Sequence, residues 1–286
     1  MKNPILEKTN ELLKEQLETI EAHFKADCIY INGPISSELV EITREVVERL
    51  VEDTTRNTTA YILLTTGGGD AISVERLANI FRHNYSEVNF IVPDHAYSAG
   101  TILCMSGDNI WMDYNSVLGP IDPQVQNKEG RYVPVLGYLD KIEDLIKKAQ
   151  TNSLSQAEFL ILKDFDLAEL SQYEQATELT TDLLEQWLVK YKFKNWKTHS
   201  STGKRVTEKD KKERAKRIAK DLANYSKWKS HGRPLNIDVI RNLKLKVEDF
   251  GENKEQQRMI LNFHYMCENF MRLQEVDGFV FSRRNT

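Results

Sequence analysis

The chain has 286 residues, with 39 Lys and Arg against 43 Asp and Glu, a formal net charge of −4 and 40% hydrophobic residues. That length and composition fit a globular protein of one large domain or two small ones, and the charge excludes a global attraction to nucleic acid or anionic membrane. Three scattered cysteines, Cys28, Cys104 and Cys267, exclude a disulfide framework and have no metal-type spacing.

No apolar run reaches the roughly 20 residues that a membrane helix needs. The opening stretch MKNPILEKTNELLKEQ carries acids throughout and has no apolar core, unlike a secretory signal. The expectation is a soluble cytoplasmic protein with no membrane span.

In chain order, residues 5–24 form an amphipathic helix with Leu13, Leu17, Ile20 and Phe24 on one stripe. Cys28 to Ile31 is a short strand, which Gly33-Pro34 breaks. Ser36 or Ser37 caps the next helix, about Glu38 to Glu52, which buries Leu39, Val46, Val47 and Leu50. A strand over 60–65 ends in the run Thr65-Thr66-Gly67-Gly68-Gly69-Asp70, and a helix with Val74, Leu77, Ala78 and Phe81 follows. A strand over 88–92 leads into His95-Ala96-Tyr97-Ser98-Ala99-Gly100-Thr101, and a helix of small residues spans 99–106. Asn109 to Met112 is a further strand. Alternating strands and helices with short links predict a parallel sheet with right-handed crossovers.

From about Leu136 to Tyr225 the pattern is helical, with segments predicted over 138–150, 155–174, 176–192 and 207–227. Gly232-Arg233-Pro234 marks the return to the core. A helix near 236–243, an edge strand at Leu245 to Val247 and a last helix over 254–273 complete the chain. The domain reading is an N-terminal helix over 1–27, an α/β core over 28–135, a helical insertion over 136–227, and a return to the core with the C-terminal helix over 228–286.

Two turns carry chemistry. The glycine turn leaves room for a substrate against the backbone, and its amides can polarise a carbonyl oxygen. The alternative is a tight turn with Asp70 as helix cap. It is neither a GxGxxG fingerprint nor a phosphate loop, because the spacing differs and no GK[ST] follows. In the second turn Ser98 stands at the start of a helix, where the Ala99 amide can serve as an oxyanion donor. Its alternative role is that of an N-cap serine. Position 96 is Ala, so this is not a GxSxG elbow. Two such turns on successive strands point to acyl transfer through an activated serine.

These residues resemble the Clp protease and crotonase superfamily. Gly33-Pro34-Ile35 is similar to the turn after the first strand, Gly68-Gly69 to the oxyanion loop, and Ser98-Ala99-Gly100 to the nucleophile turn. The run Asn115-Ser116-Val117-Leu118-Gly119-Pro120-Ile121-Asp122-Pro123-Gln124 resembles the serine dehydrogenase proteinase branch, as does Ser230-His231-Gly232-Arg233-Pro234-Leu235. The resemblance covers roughly 28–125 and 225–250 and implies a Clp/crotonase-type α/β fold with a large helical insertion. It also implies a serine peptidase. Where Clp peptidases place histidine this chain has Ile121 or Asp122, and near their aspartate it has His231. The two residue types look exchanged.

The expected site is therefore Ser98 as nucleophile, His231 as base, Asp122 orienting it, and an oxyanion hole from Gly68, Gly69 and Ala99. His231 is alternatively a helix-terminal histidine, and Asp122 a turn residue before Pro123. His95 is another possible base. A lysine base at Lys128, Lys227 or Lys229 is the fallback. His23 and His83 are expected at the surface, with His199 in a loop and His264 in the last helix.

The basic stretch from Gly203 to Lys220 is expected as a solvated helix face rather than a nucleic-acid contact. No cofactor or metal is implied. The expected partners are a peptide or protein substrate and further copies of the chain in a homo-oligomer. The rivals are a non-catalytic Clp-like scaffold and a crotonase-like enzyme acting on acyl thioesters.

Overall fold

A computed structural model describes residues 4–52, 57–126, 132–163 and 167–284. The first helix, α1 (Pro4–Phe24), leads into β1 (Asp27–Asn32), α2 (Ser37–Val51), β2 (Thr59–Thr65), α3 (Ala71–Asn84) and β3 (Glu87–Ile91). Local chemistry starts α2 and α3. The Ser36 hydroxyl accepts from the Leu39 amide to open α2, and the Asp70 carboxylate accepts from the Ile72 and Ser73 amides to open α3. Burial opposes the Asp70 charge, but the Ser73 hydroxyl and the capped amides outweigh it and lower its pKa.

The strands are apolar at successive positions because both faces of the sheet are covered. In β1, Ile29 and Ile31 face the core beneath α2 and α3, with Ile62 and Leu64 of β2. Cys28 and Tyr30 face the opposite way, with Leu63, and pack against Leu13, Leu17 and Ile20 of α1. This is the two-residue alternation of a pleated strand.

The chain continues through β4 (His95–Ala96), α4 (Ala99–Met105), β5 (Asn109–Met112), β6 (Val117–Leu118), β7 (Gln124–Gln126) and β8 (Tyr132–Pro134). Next come α5 (Val135–Gln150), α6 (Gln156–Lys163) and α7 (Leu167–Trp187), whose last turn widens to a π-helix over Leu188–Lys192. After α8 (Glu208–Ala223) and α9 (Tyr225–Trp228) the chain returns through β9 (Leu235–Asn236), α10 (Ile237–Asn242), β10 (Glu248–Asp249), α11 (Lys254–Gln274) and β11 (Phe279–Phe281).

Six strands form the main sheet in the order β10-β5-β3-β2-β1-β11. The pairings are parallel except for β11, which runs antiparallel to β1. Helix α11 lies with α1 on one face through Ile260, Phe263 and Cys267. On the other face Leu184 and Leu188 from the end of α7, and Ile218 and Leu222 of α8, join the core of α2, α3 and α4. The α/β class with a mainly parallel sheet and crossover helices holds. Among the described residues no helix is long and apolar enough to cross a membrane.

Several predicted boundaries differ. The edge strand is Glu248–Asp249, opposite Trp111 and Met112, and not Leu245 to Val247. Leu245 and Val247 are buried as core residues in the approach to the strand. No break falls near 175, where one was predicted: α7 runs from Leu167 through to Trp187. The segment predicted over 207–227 divides at Asn224, whose side chain accepts from the Lys227 amide and starts α9. The last strand, β11, was not expected.

Candidate active site

A second sheet, of three two-residue strands in the order β4-β6-β9, joins three loops that are distant in the chain. Ala96 pairs with Leu118 in parallel, and Leu118 with Leu235 antiparallel. Ser98 lies two residues beyond Ala96. Continuing the antiparallel register from the Leu118–Leu235 pair sets Asp122 opposite His231. Their side chains do meet: His231 Nδ1 stands 3.1 Å from Asp122 Oδ1.

The Asp122 side chain is fully buried and that of His231 is 18% exposed. The contact is at ion-pair distance but lacks hydrogen-bond alignment. Among the described residues neither Asp122 oxygen makes a hydrogen bond, and nor does His231 Nδ1. A buried carboxylate without hydrogen bonds is costly, and the imidazole is the group within reach.

Ser98 is strained. Its φ and ψ are 50° and −114°, a conformation a non-glycine residue rarely adopts. The Gly100 amide donates to the Tyr97 carbonyl at 2.8 Å and closes a turn with Ser98 at its first central position. This is type II′ geometry, where glycine is usual. Holding serine there costs about 1–3 kcal/mol. The hydroxyl makes no capping bond to α4, so the N-cap role does not account for it.

The neighbourhood holds the turn in place. Thr101 Oγ1 donates toward the carbonyls of Ala96 and Gly119, at 2.8 and 3.0 Å, and accepts from the Gly119 amide at 2.9 Å. Gly119 passes so close that a Cβ there would lie 2.6 Å from the Tyr97 ring and 3.2 Å from the Ser98 nitrogen. Gly68 flanks Ser98 on another side. A Cβ at Gly68 would lie 3.0 Å from Ser98 Cβ, and its φ of +115° already disfavours a side chain.

The three predicted oxyanion donors differ in their bonding. The Gly68 amide donates to Thr66 Oγ1 at 3.1 Å. The amides of Gly69 and Ala99 have no acceptor among the described residues. Ala99 opens α4, where the first amides lack helical partners. Gly69 passes Ile35 with no room for a side chain, and the Asp70 amide donates to the Ile35 carbonyl at 2.9 Å.

The other histidines have their own surroundings. His95 Nδ1 is 2.7 Å from Asp94 Oδ2, a bond that holds the Asp94 carboxyl below its ordinary pKa. Sequence reasoning considered His95 but missed its carboxylate partner, which was legible as the adjacent residue. His264 is buried against the Tyr30 hydroxyl, and burial lowers its pKa. His199 lies 3.5 Å from Asp210, while His23 and His83 are exposed. Of the fallback lysines, Lys227 is exposed and pairs with Asp221 at 2.9 Å, and Lys229 is exposed. Lys128 lies outside the described residues. Among the described residues the donor atoms of Asp94, His264 and Glu268 come within 4.8 Å of one another, a set able to hold a metal. None of the predicted catalytic residues belongs to it.

An uncharacterized protein of Methanocaldococcus jannaschii is 26% identical over 225 residues, covering 79% of this chain and 64% of that one. A second from the same organism is 31% identical over 86 residues, 30% of each chain. The chain thus spans less than two thirds of the length of either relative.

Among solved structures, ClpP1 from Listeria monocytogenes superposes with a TM-score of 0.43 at 11% identity, over 84% of this chain and 94% of that one. A mutant of the membrane-bound stomatin-specific protease 1510-N, in complex with a substrate peptide, gives 0.33 at 22% identity, over 50% of this chain and 69% of that one. The assignment rests on sequence: the profile of the ClpP-like SDH-type serine proteinases matches residues 22–208, well over half of the chain. The chain belongs to the ClpP-like SDH-type serine proteinase family.

Proposed function

We propose that the protein hydrolyses peptide bonds through an acyl-enzyme on Ser98. The observation that carries this reading is the strained Ser98, held in the turn between Gly68 and Gly119 with no capping bond. Stored strain at a nucleophile is accounted for by function more readily than by stability.

Ser98 Oγ attacks the scissile carbonyl carbon as its proton passes to the His231 imidazole. Nδ1 of that ring faces Asp122, which leaves Nε2 to take the proton. Asp122 fixes the ring and stabilises the imidazolium. The carbonyl oxygen gains the negative charge and is held by the Ala99 and Gly69 amides. Gly68 is a further donor when Thr66 turns away. Collapse of the intermediate expels the amine, which receives the proton from His231. Water then cleaves the acyl-enzyme by the same route in reverse.

The reading includes a cytoplasmic homo-oligomer, with the helical insertion over 136–227 and α1 as contacts. Three free, buried cysteines fit a reducing compartment.

A second reading, a non-catalytic scaffold, draws on two observations. The Asp122–His231 pair lacks hydrogen-bond alignment, and Thr66 occupies the Gly68 amide. Hydrolysis of a fluorogenic casein separates the two. Turnover by the wild type that falls about 10³-fold or more in Ser98→Ala supports the peptidase. Equal background rates in both proteins support the scaffold.

A further inference from the structure

At the opposite end of β3 from Ser98 lies a cavity of about 650 Å³. Its floor includes Glu87 at the start of β3 and Asn109 at the start of β5. Ser98 follows the other end of β3, and the five residues of that strand alone put roughly 16 Å between the two places. The volume is that of a small-molecule site.

The lining is strongly cationic. Lys192, Lys194, Arg214, Arg241, Lys244 and Lys246 face two acids, Glu87 and Asp108. Asp108 is already bound by Arg82 at 2.7 Å and by Lys194. Lys246 pairs with Glu248, outside the lining. The Lys192 ammonium has no hydrogen bond or ion pair among the described residues, and burial lowers its pKa to about 8. The side chain is half-buried, with Glu248 and Asp108 near enough to act on its charge but not to bind it. It is carried on the π-helical turn Leu188–Lys192, a distortion that occurs frequently at functional sites. Tyr191, Phe193 and Trp196 add aromatic surface to the same cavity.

We propose that this cavity binds a nucleoside phosphate, with Lys192, Arg214 and Arg241 taking the phosphates and the aromatic wall taking the base. Arginine forks and lysine point charges together are the usual recognition of phosphate oxygens. One Arg241 N–H donates to the Val247 carbonyl at 3.3 Å, which orients the guanidinium and leaves further donors. Arg214 lies over the Trp196 ring at 5.6 Å, so the cation and the aromatic surface adjoin. The proposal is independent of the peptidase reading.

The test is calorimetric titration of the whole chain with ADP and with adenosine, alongside the variants Lys192→Met and Arg214→Ala. Circular dichroism of each variant establishes that it is folded. Lys192→Met keeps the side chain's apolar length, and Arg214 stands on the partly exposed face of α8, so a folded variant is available. The expected result is ADP binding that weakens about tenfold or more in either folded variant, as loss of a charged hydrogen bond predicts, with adenosine at least about tenfold weaker than ADP. The proposal is overturned by absence of ADP binding at millimolar concentration, by adenosine binding as tightly as ADP, or by ADP affinity unchanged in both variants.

Discussion

His231 Nδ1 and Asp122 Oδ1 stand 3.1 Å apart because β6 and β9 pair antiparallel and the two loops leave that pair side by side. The contact is set by backbone register, and a substitution that preserves the strands preserves the geometry. Asp122→Asn removes the charge and keeps the shape. The account predicts that peptidase turnover falls about 10²–10⁴-fold, as loss of the orienting carboxylate does in serine triads. His231→Ala is predicted to lose at least as much. His95→Ala keeps more than about a third of wild-type turnover, because loss of a surface-type contact has a small effect. Steady-state rates on one peptide substrate check all three. Full activity in His231→Ala with loss in His95→Ala assigns the base to the Asp94–His95 pair instead.

Ser98 carries backbone strain that glycine does not. Ser98→Gly is predicted to abolish turnover yet to be more stable than Ser98→Ala by about 1 kcal/mol, since alanine keeps the strained φ and glycine relieves it. Urea unfolding of the two inactive variants reads the difference. Equal stabilities contradict the strain.

Gly68 is needed for space as well as conformation. A methyl group there approaches Ser98 Cβ at 3.0 Å. Gly68→Ala is predicted to destabilise the fold by about 1–3 kcal/mol and to lower turnover by about tenfold or more through displacement of Ser98. Chemical denaturation and kinetics on the same preparation measure both. Wild-type values for each contradict the close packing.

The Asp108 carboxylate, 4% exposed, joins Arg82, Lys194 and the Val88 amide at the far end of the sheet. Burial opposes its charge, but these partners outweigh burial and hold its pKa below the ordinary 3.8. A depressed native pKa gives stability that is present above the unfolded value and lost as pH falls through the native one. Asp108→Asn is predicted to cost about 3 kcal/mol at neutral pH by leaving a buried cation unpaired. The difference from wild type then narrows as the pH falls below about 4. Thermal unfolding of both proteins against pH tests this, and a difference independent of pH contradicts it.

The main sheet was legible in the sequence because its strands are buried on both faces. Runs such as Tyr61 to Leu64 and Phe90 to Val92 are continuous and apolar, and α2 and α11 show clear stripes. The small sheet was not legible. Two residues, as in His95–Ala96 or Val117–Leu118, carry no periodicity, yet these strands join the loops that carry Ser98, Asp122 and His231. The glycines at 68 and 69 announced a special turn. The positive φ of Ser98 did not announce itself, because it is imposed by packing around Gly119 and Thr101. Along the helical stretch, Leu and Glu recur with little change, so composition did not show that α7 continues past 175 to Trp187.

The central claim is that Ser98 is an activated nucleophile. The direct measurement is labelling of the purified protein by a fluorophosphonate probe, with the site mapped by peptide mass spectrometry. The account predicts one labelled residue, Ser98, and loss of labelling in both Ser98→Ala and folded His231→Ala. A wild-type protein that stays unlabelled, or that is labelled at another residue, contradicts it.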